Sequence, residues 1–247
     1  MSGILAIFQR ELRAYFLSPL AYVVLCFLLV INGVIFAIIL VALNDPLQPA
    51  GRPLDLFFGG TFLFWLVVMF AAPVLTMRLL AEERRSGSIE VLMTAPVTEW
   101  QVVLGKYLAA LIFYAFLWLP TVAYAGIVAF HSEIDWGVVA AGYLGVFLIG
   151  ALFLAIGLFA SAVTSNQIIA AVIAFAILLT LTCLTFLGYF VNSQLLKEAF
   201  TFISFPEHMS SEFAKGIVDT RRLVFYLATT GFFLFLSARA LESGKWR

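Results

Sequence analysis

The sequence predicts an all-α integral membrane protein with six transmembrane helices. Of its 247 residues, 64% are hydrophobic and only 11% are charged, whereas soluble globular chains are about 45–50% apolar. Six apolar runs are each long enough to cross a bilayer, which takes about 20 helical residues. These runs are roughly 20–43, 57–80, 103–130, 138–162, 168–192 and 223–241. We therefore expect a single transmembrane domain over residues 1–247.

Residues 1–18 precede the first run and are typical of a helix that lies in the membrane interface. Apolar side chains recur there at steps of three and four, whereas Gln9, Arg10 and Arg13 lie on the opposite side. Ser18 and Pro19 then form an N-cap and first-turn pair, which ends one helix and starts the next. The alternative is that these residues simply extend the first span into the cytoplasm.

The distribution of positive charge predicts that both termini are cytoplasmic. An even number of spans puts both termini on one side, and Lys and Arg are enriched in cytoplasmic loops. With the termini inside, nine of the fourteen Lys and Arg residues fall in cytoplasmic segments. These nine are Arg10, Arg13, Arg78, Arg84, Arg85, Lys106, Arg239, Lys245 and Arg247.

A polar segment, residues 81–100, separates the second and third runs. Charges of both signs crowd its first half, as Glu82, Glu83, Arg84, Arg85 and Glu90. Gly87 interrupts the helix that leaves the second run, Ser88 can cap a short helix over 88–95, and Pro96 ends that helix. A helix that lay on anionic lipid would favour Lys and Arg, so the mixed charge indicates a protein partner. The alternative is that this segment is a connector that lies on the lipid surface through its apolar residues, with its charges exposed to water.

Two capping boxes mark further helix starts. Thr98 with Gln101 is expected to begin the third span. In the outer loop, 193–222, Ser204 to Glu207 begins a short helix that Gly216 can stop. The two histidines, His131 and His208, are far apart in sequence and are interpreted as solvated loop residues.

Several classes of function are disfavoured by what the sequence lacks. It has no G-x-x-x-x-G-K-[ST] loop for ATP and no G-x-S-x-G turn for a serine nucleophile. The predicted spans have almost no ionisable residue at mid-depth, which disfavours a proton- or sodium-driven carrier. Cys26 and Cys183 lie inside apolar runs, so neither a disulfide nor a metal site is expected. The formal net charge of zero gives no sign of nucleic-acid binding.

The polar segment also resembles a known signature. "AEERRSGSIEVLMTAPVTEWQVVLGKY" (81–107) is similar to the stretch between the second and third spans of ABC-2 type ABC transporter permeases. The stretches "SNQIIAAVIAF" (165–175) and "EFAKGIVDTRRLVFYLATTGFFLFLSARALESGKWR" (212–247) look closest to the gliding-motility-associated branch. "SGS" stands where many members have Gly-Thr, which is a mild departure.

The resemblance implies roles for two groups of residues. It makes the segment after the second span a coupling helix that docks on a cytoplasmic ATPase, and the first helix an interfacial elbow helix, as in type V exporters. The implied coupling residues are Glu82, Glu83, Arg84, Arg85, Gly87, Ser88, Glu90 and Pro96. The charged residues of the implied elbow helix are Arg10, Glu11 and Arg13.

The same resemblance implies partners and a location. ATP and Mg would bind to the ATPase, and this chain itself would hold no cofactor or metal. The permease would pair with a second copy or with a related permease subunit, which in the gliding-type branch carries a large extracytoplasmic domain. The location would be the bacterial inner membrane, where membrane lipid is the other partner.

The function expected from the sequence is that of a permease subunit. It would couple ATP hydrolysis on a separate ATPase to export or rearrangement across the membrane, without catalysing a reaction. The alternative is a membrane scaffold or force-transmitting subunit that drives an extracytoplasmic partner and moves no solute. A channel or carrier that works alone is disfavoured, because the spans have so few ionisable residues.

Overall fold

The computed structural model describes residues 3–43, 53–59, 61–87, 97–190 and 193–243. Within these ranges the chain is helical and contains no strand, so the predicted all-α class is confirmed. The main helices are α1 (Gly3–Leu17), α2 (Pro19–Leu43), α3 (Pro53–Phe57), α4 (Phe62–Thr76), α5 (Ala81–Ser86), α6 (Glu99–Trp118), α7 (Val122–Ala129), α8 (Trp136–Val163), α9 (Gln167–Phe190), α10 (Gln194–Ile203) and α11 (Thr220–Ser243).

Six stretches of the described chain are long and apolar enough to cross a membrane. They are Pro19–Leu43, Leu63–Ser86, Glu99–Ala129, Trp136–Val163, Gln167–Leu184 and Thr220–Ser243. Each overlaps one of the six apolar runs in the sequence. The second stretch joins α4 to α5 through a four-residue turn, and the third joins α6 to α7 through a 3-10 turn at Leu119–Thr121.

Helix α8 lies at the centre of the bundle. In the most hydrophobic 18-residue stretch of α8, 83% of the residues are buried, whereas the corresponding fractions are 28% in α2 and 22% in α9. Its glycines allow two close approaches, because Gly150 faces the Tyr114 ring on α6 and Gly157 faces Thr76 at the end of α4. Helices α4, α6, α9 and α11 pack against α8, whereas α2 packs mainly on α3 and α4. The outward faces of α2, α9 and α11 are apolar and exposed.

Helix α1 is separate from the first span, as the sequence predicts. It ends at Leu17, and α2 begins at Pro19 after a break at Ser18. The Ser18 amide still bonds to the Tyr15 carbonyl at 3.1 Å, and the Ala21 amide bonds to the Ser18 carbonyl at 3.1 Å. The chain therefore turns between two helices instead of extending one of them.

At the opposite end of the bundle, residues 193–222 contain more helix than expected. Helix α10 was not predicted, and it precedes the helical turns of Phe205–Glu207, His208–Glu212 and Phe213–Lys215. The predicted cap at Ser204 is confirmed, because its hydroxyl accepts a bond from the Glu207 amide at 3.2 Å. The predicted stop is also confirmed, since Gly216 has a φ of +83°, which only glycine adopts readily.

Candidate functional site

The site begins with a lysine that is buried inside the bundle. The Lys106 side chain on α6 is only 1% exposed, and its Nζ lies 3.0 Å from Glu11 Oε1 and 2.9 Å from Glu83 Oε1. An ammonium group removed from water is tolerated only when carboxylates pair with it. Lys106 therefore joins α1, α5 and α6 at one point.

Arg10 completes what we call the four-charge cluster, which consists of Arg10, Glu11, Glu83 and Lys106. The Arg10 Nη2 atom donates to Glu11 Oε1 at 2.7 Å and to Glu83 Oε1 at 2.8 Å. Two cations and two carboxylates make the cluster formally neutral. Burial disfavours the charged form of Glu11, but Lys106 and Arg10 outweigh that effect and hold the pKa of Glu11 below its usual value.

Packing of α1 against α6 brings Glu11 and Arg10 to this point. Ile7 rests on Gly105, where an added Cβ would come within 2.9 Å of the Ile7 side chain. Further along α1, the Tyr15 ring stacks on Phe113 with their centroids 5.0 Å apart. The Tyr15 hydroxyl donates to the Leu75 carbonyl at 2.7 Å, and burial raises its pKa. Helix α1 is thus fixed to both α6 and the end of α4.

A serine on the central helix holds the turn that positions Glu83. Helix α4 ends at Thr76, which leaves backbone groups unpaired before α5 starts at Ala81. The Ser161 hydroxyl of α8 accepts from the Leu80 amide at 3.0 Å and from the Ala81 amide at 2.9 Å, and it donates to the Met77 carbonyl at 3.1 Å. This one hydroxyl satisfies three groups of the turn, so α5 has a defined direction.

Helix α5 is also fixed to the last span. The Arg84 Nη2 atom donates to the Ala240 carbonyl near the end of α11 at 2.9 Å. Gly87 ends α5 with a φ of +71°. An added Cβ at Gly87 would meet no atom within 4 Å. Glycine is therefore favoured there by the left-handed backbone conformation, and a side chain would not clash with its neighbours. These contacts also show that α1, α5, the start of α6 and the end of α11 share one end of the bundle.

The structure separates the predicted coupling residues into two groups. Glu83 and Arg84 are half-buried and bonded to neighbouring helices, whereas Glu82, Arg85 and Gly87 are exposed. Three other predicted residues, Ser88, Glu90 and Pro96, and the predicted helix over 88–95 lie outside the described residues. On the far side of that segment, Thr98 and Gln101 form both bonds of the predicted capping box.

The residues predicted for the elbow helix also differ in their surroundings. Arg10 and Glu11 belong to the four-charge cluster, whereas Arg13 is exposed. Sequence reasoning assigned Lys106 only to the count of cytoplasmic positive charges and missed its role. A signal was available, because a lysine eight residues inside an apolar helix needs a partner at that depth. The sequence does not indicate which carboxylates supply it.

A cleft opens beside the four-charge cluster. Its volume is about 400 Å³, and it lies between α1 and the turn that leads into α5. Arg78 and Glu82 line it together with members of the cluster. The Arg78 guanidinium lies over the Tyr15 ring, 5.9 Å from its centroid.

The interpretation of His208 as a solvated loop residue is wrong. His208 is fully buried, and its Nδ1 lies 3.0 Å from the Tyr226 hydroxyl on α11. Burial, followed by the nearby Arg222, lowers the pKa of His208 to about 4. The helical turns at 205–215 pack against α8 and contact Tyr226 and Arg222 of α11, which buries the ring. His131 is exposed, as predicted.

The four-charge cluster is suited to holding helices in register. All of its members pair with opposite charges, and within the described ranges no group of three His, Cys, Asp or Glu could hold a metal. The described chain has six apolar spans, and the four-charge cluster connects helices at the end that bears the termini. This architecture is that of a multi-pass helical membrane protein. The family model described as an ABC-2 family transporter protein matches residues 52–205, which is more than half of the chain. The chain therefore belongs to the ABC-2 family of transporter proteins.

Family membership makes this chain the membrane permease component of an ABC transporter, in a family whose permeases are not themselves catalytic and act with an ABC ATPase. A comparison with curated protein sequences gives no significant match. The matched region runs from just before α3 to the start of the turns at 205–215 and includes Glu83 and Lys106. Arg10 and Glu11 precede it.

Proposed function

We propose that this permease couples ATP hydrolysis on a separate cytoplasmic ATPase to export or rearrangement across the inner membrane. The observation that carries the proposal is the attachment of α5, which leads directly into residues 88–96. Glu83 bonds to α1 and α6, Ser161 of α8 holds the start of α5, and Arg84 bonds to α11. A force applied to the segment after α5 would therefore be transmitted to four helices, which are α1, α6, α8 and α11.

The proposed contact with the ATPase has two parts. The exposed side chains of Glu82 and Arg85, together with Gly87 at the end of α5, would begin the docking surface. Residues Ser88, Glu90 and Pro96 would continue it as the coupling helix that the sequence predicts. Glu83 and Arg84 would transmit force instead of docking, because they bond to this chain's own helices.

The end of the bundle that bears the termini is proposed to face the cytoplasm. The positive-inside rule supports this sidedness, because nine of fourteen basic residues fall in segments at that end. Cysteines introduced at Ser86 and Ser132, both exposed, test it with a membrane-impermeant thiol reagent. We expect labelling of Ser132→Cys from outside intact cells and of Ser86→Cys only after lysis. Labelling of both from outside would contradict the proposed sidedness.

Two permease chains are proposed to act together with the ATPase. The outward faces of α2, α9 and α11 are apolar and exposed in a single chain, which leaves surface for a second copy or a related subunit as well as for lipid. The family match does not separate branches. The gliding-type branch remains a prediction from 165–175 and 212–247, and it implies a second subunit with a large extracytoplasmic domain.

The second candidate function is a force-transmitting scaffold that drives an extracytoplasmic partner and transports no solute. The helical turns at 205–215 pack on α8 and bond to α11 at the end opposite α5, and they would provide a rigid surface for such a partner. The two candidates differ in what stimulates ATP hydrolysis by the complex. A solute would stimulate it in a transporter, and an extracytoplasmic protein would stimulate it in a scaffold.

The test is recovery of the tagged chain from its native membrane in mild detergent, followed by mass spectrometry and an ATPase assay. We expect a P-loop ATPase to co-elute with the wild-type chain. Arg85→Glu should reduce its recovery, because it inverts an exposed charge on α5. Arg221→Glu is the matched control, since it inverts an exposed charge at the opposite end. An intact chain recovered without any ATPase would reject the proposal.

A further inference from the structure

The cleft beside the four-charge cluster has a charge pattern that the proposed coupling role does not explain. Arg78 has no part in that role, and Glu82, which begins the proposed docking surface, also lines the cleft. Arg10, Glu11, Glu83 and Lys106 neutralise one another across short ion pairs. The cleft, about 400 Å³ in volume, is lined by two further charges, Arg78 and Glu82. This volume is within the range of pockets that hold small ligands.

Arg78 and Glu82 each have unused bonding capacity. In the described part of the chain, Arg78 forms no ion pair with a carboxylate, and its guanidinium lies over the face of the Tyr15 ring. Glu82 forms no ion pair with a described cation either, and its side chain is exposed. The Glu82 amide bonds to the Arg78 carbonyl at 3.4 Å, so the two side chains arise from adjacent turns. One positive and one negative group thus line the same cleft.

The elements around the cleft indicate that it faces lipid headgroups. Helix α1, which forms one wall, is amphipathic and precedes the turn into the membrane at Pro19. Leu17 beside that turn is 82% exposed, which in a bilayer places it among acyl chains. Arg78 follows the end of α4, where an arginine can extend to the interface. Ala14 of α1 and Leu79 of the turn before α5 add apolar side chains to the lining.

We propose that this cleft binds the headgroup of a zwitterionic phospholipid that carries a primary ammonium, taken from the leaflet on the side of the termini. Arg78 binds the phosphate, because a guanidinium donates two parallel bonds to phosphate oxygens. Glu82 accepts from the ammonium. A phosphatidylcholine headgroup has the same charges, but its quaternary ammonium cannot donate a hydrogen bond. The proposal goes beyond ATPase coupling and does not depend on it.

The test uses the full chain alone, in nanodiscs or detergent, and counts bound lipid by native mass spectrometry. Phosphatidylethanolamine, phosphatidylcholine and phosphatidylglycerol are supplied one at a time and in pairs. The wild-type chain is expected to retain phosphatidylethanolamine about tenfold better than either of the others. Arg78→Gln should abolish retention of all three lipids. Glu82→Gln should make phosphatidylethanolamine equal to phosphatidylcholine.

Two controls make the result specific. Arg13→Gln removes an exposed charge from the same interfacial helix but not from the cleft, so it should bind lipid like the wild type. Inorganic phosphate, added in excess, should not displace the lipid, because it lacks the ammonium group that Glu82 binds. Equal retention of all three lipids by the wild type, or no loss in Arg78→Gln, would overturn the proposal, as would displacement by inorganic phosphate. Because no ATPase is present, these outcomes leave the proposed coupling function untouched.

Discussion

The Nζ atom of Lys106 lies 3.0 Å from Oε1 of Glu11, although 95 positions separate the two residues in sequence. Lys106 belongs to the third span, and Glu11 belongs to α1, which precedes the first. Their pair fixes α1 to the membrane domain, and Glu83 brings α5 to the same lysine at 2.9 Å. These ion pairs therefore couple the position of α1 to that of α5, which leads into residues 88–96.

Removing the charge of Lys106 should be strongly destabilising. Lys106→Met keeps most of the side-chain volume but removes the buried cation of Glu11 and Glu83, which leaves the exposed Arg10 as their remaining partner in the four-charge cluster. Loss of one partner from a buried ion pair typically costs about 3–5 kcal/mol. We expect a large fall in the thermal unfolding temperature of the purified protein in detergent.

The control for this prediction separates loss of pairing from loss of a lysine in general. Lys215→Met removes an exposed lysine at the opposite end and should change the unfolding temperature little. Adding Glu11→Gln and Glu83→Gln to Lys106→Met should restore part of the lost stability, because the carboxylates are then neutral. If Lys106→Met and Lys215→Met behave alike, the four-charge cluster does not stabilise the fold.

Much of the fold could be predicted because its determinants are local in sequence. The length of each apolar run predicts a span, Pro19 predicts the start of α2, and Gly216 predicts the end of the helical turns before α11. In each case the cause lies within a few residues of the effect. A lipid-facing helix needs little more than apolar length and closed backbone bonds.

The remainder depends on contacts between residues that are distant in sequence. The partners of Lys106 come from two other helices, and no pattern within α6 identifies them. His208 was misinterpreted for the same reason, because the surroundings that bury it come from α8 and α11. Helix α10 was missed because its alternation of polar and apolar residues is short and lies in a segment that otherwise resembles a loop.

Ser161→Ala should destabilise the turn between α4 and α5. The substitution removes the acceptor of the Leu80 and Ala81 amides, which then stay buried without a partner. A buried donor left unpaired costs about 1–3 kcal/mol. We expect a lower unfolding temperature and faster proteolysis near residue 87. Ser210→Ala, which removes an exposed hydroxyl, is the matched control, and an equal effect of both variants would contradict the role of Ser161.

Small residues on α8 should be intolerant of even one added methyl group. A Cβ at Gly150 would overlap the Tyr114 ring, and a Cβ at Gly157 would overlap the Thr76 hydroxyl. Overpacking of this kind typically costs about 1–3 kcal/mol. Gly126→Ala is the matched control, because nothing lies within 4 Å of the added atom and alanine favours a helix by about 0.5–1 kcal/mol. Thermal unfolding should show Gly150→Ala and Gly157→Ala below the wild type and Gly126→Ala at or above it.

His208 should make the stability of the protein depend on pH in a specific window. Burial lowers its pKa to about 4 in the folded state, whereas an unfolded histidine titrates near about 6.5. The unfolded chain therefore binds more protons between these two values, so the folded state loses stability as the pH falls through them. The charged groups that face His208 are Arg222, which opposes its protonation, and Glu212, which favours it.

The measurement compares the unfolding temperature of the wild type and of His208→Gln from about pH 7.5 down to about pH 4. Glutamine can keep a polar contact with the Tyr226 hydroxyl, which His208 Nδ1 approaches at 3.0 Å, but it does not titrate. Glu11 and other carboxylates respond to acid in both proteins, so the difference between the two profiles isolates the histidine. We expect the wild type to be the more stable near neutral pH and to lose that advantage between about pH 6.5 and about pH 4. A difference that stays constant across this window would mean that His208 has the same pKa in the folded and unfolded chains, and its burial against α11 would then be wrong.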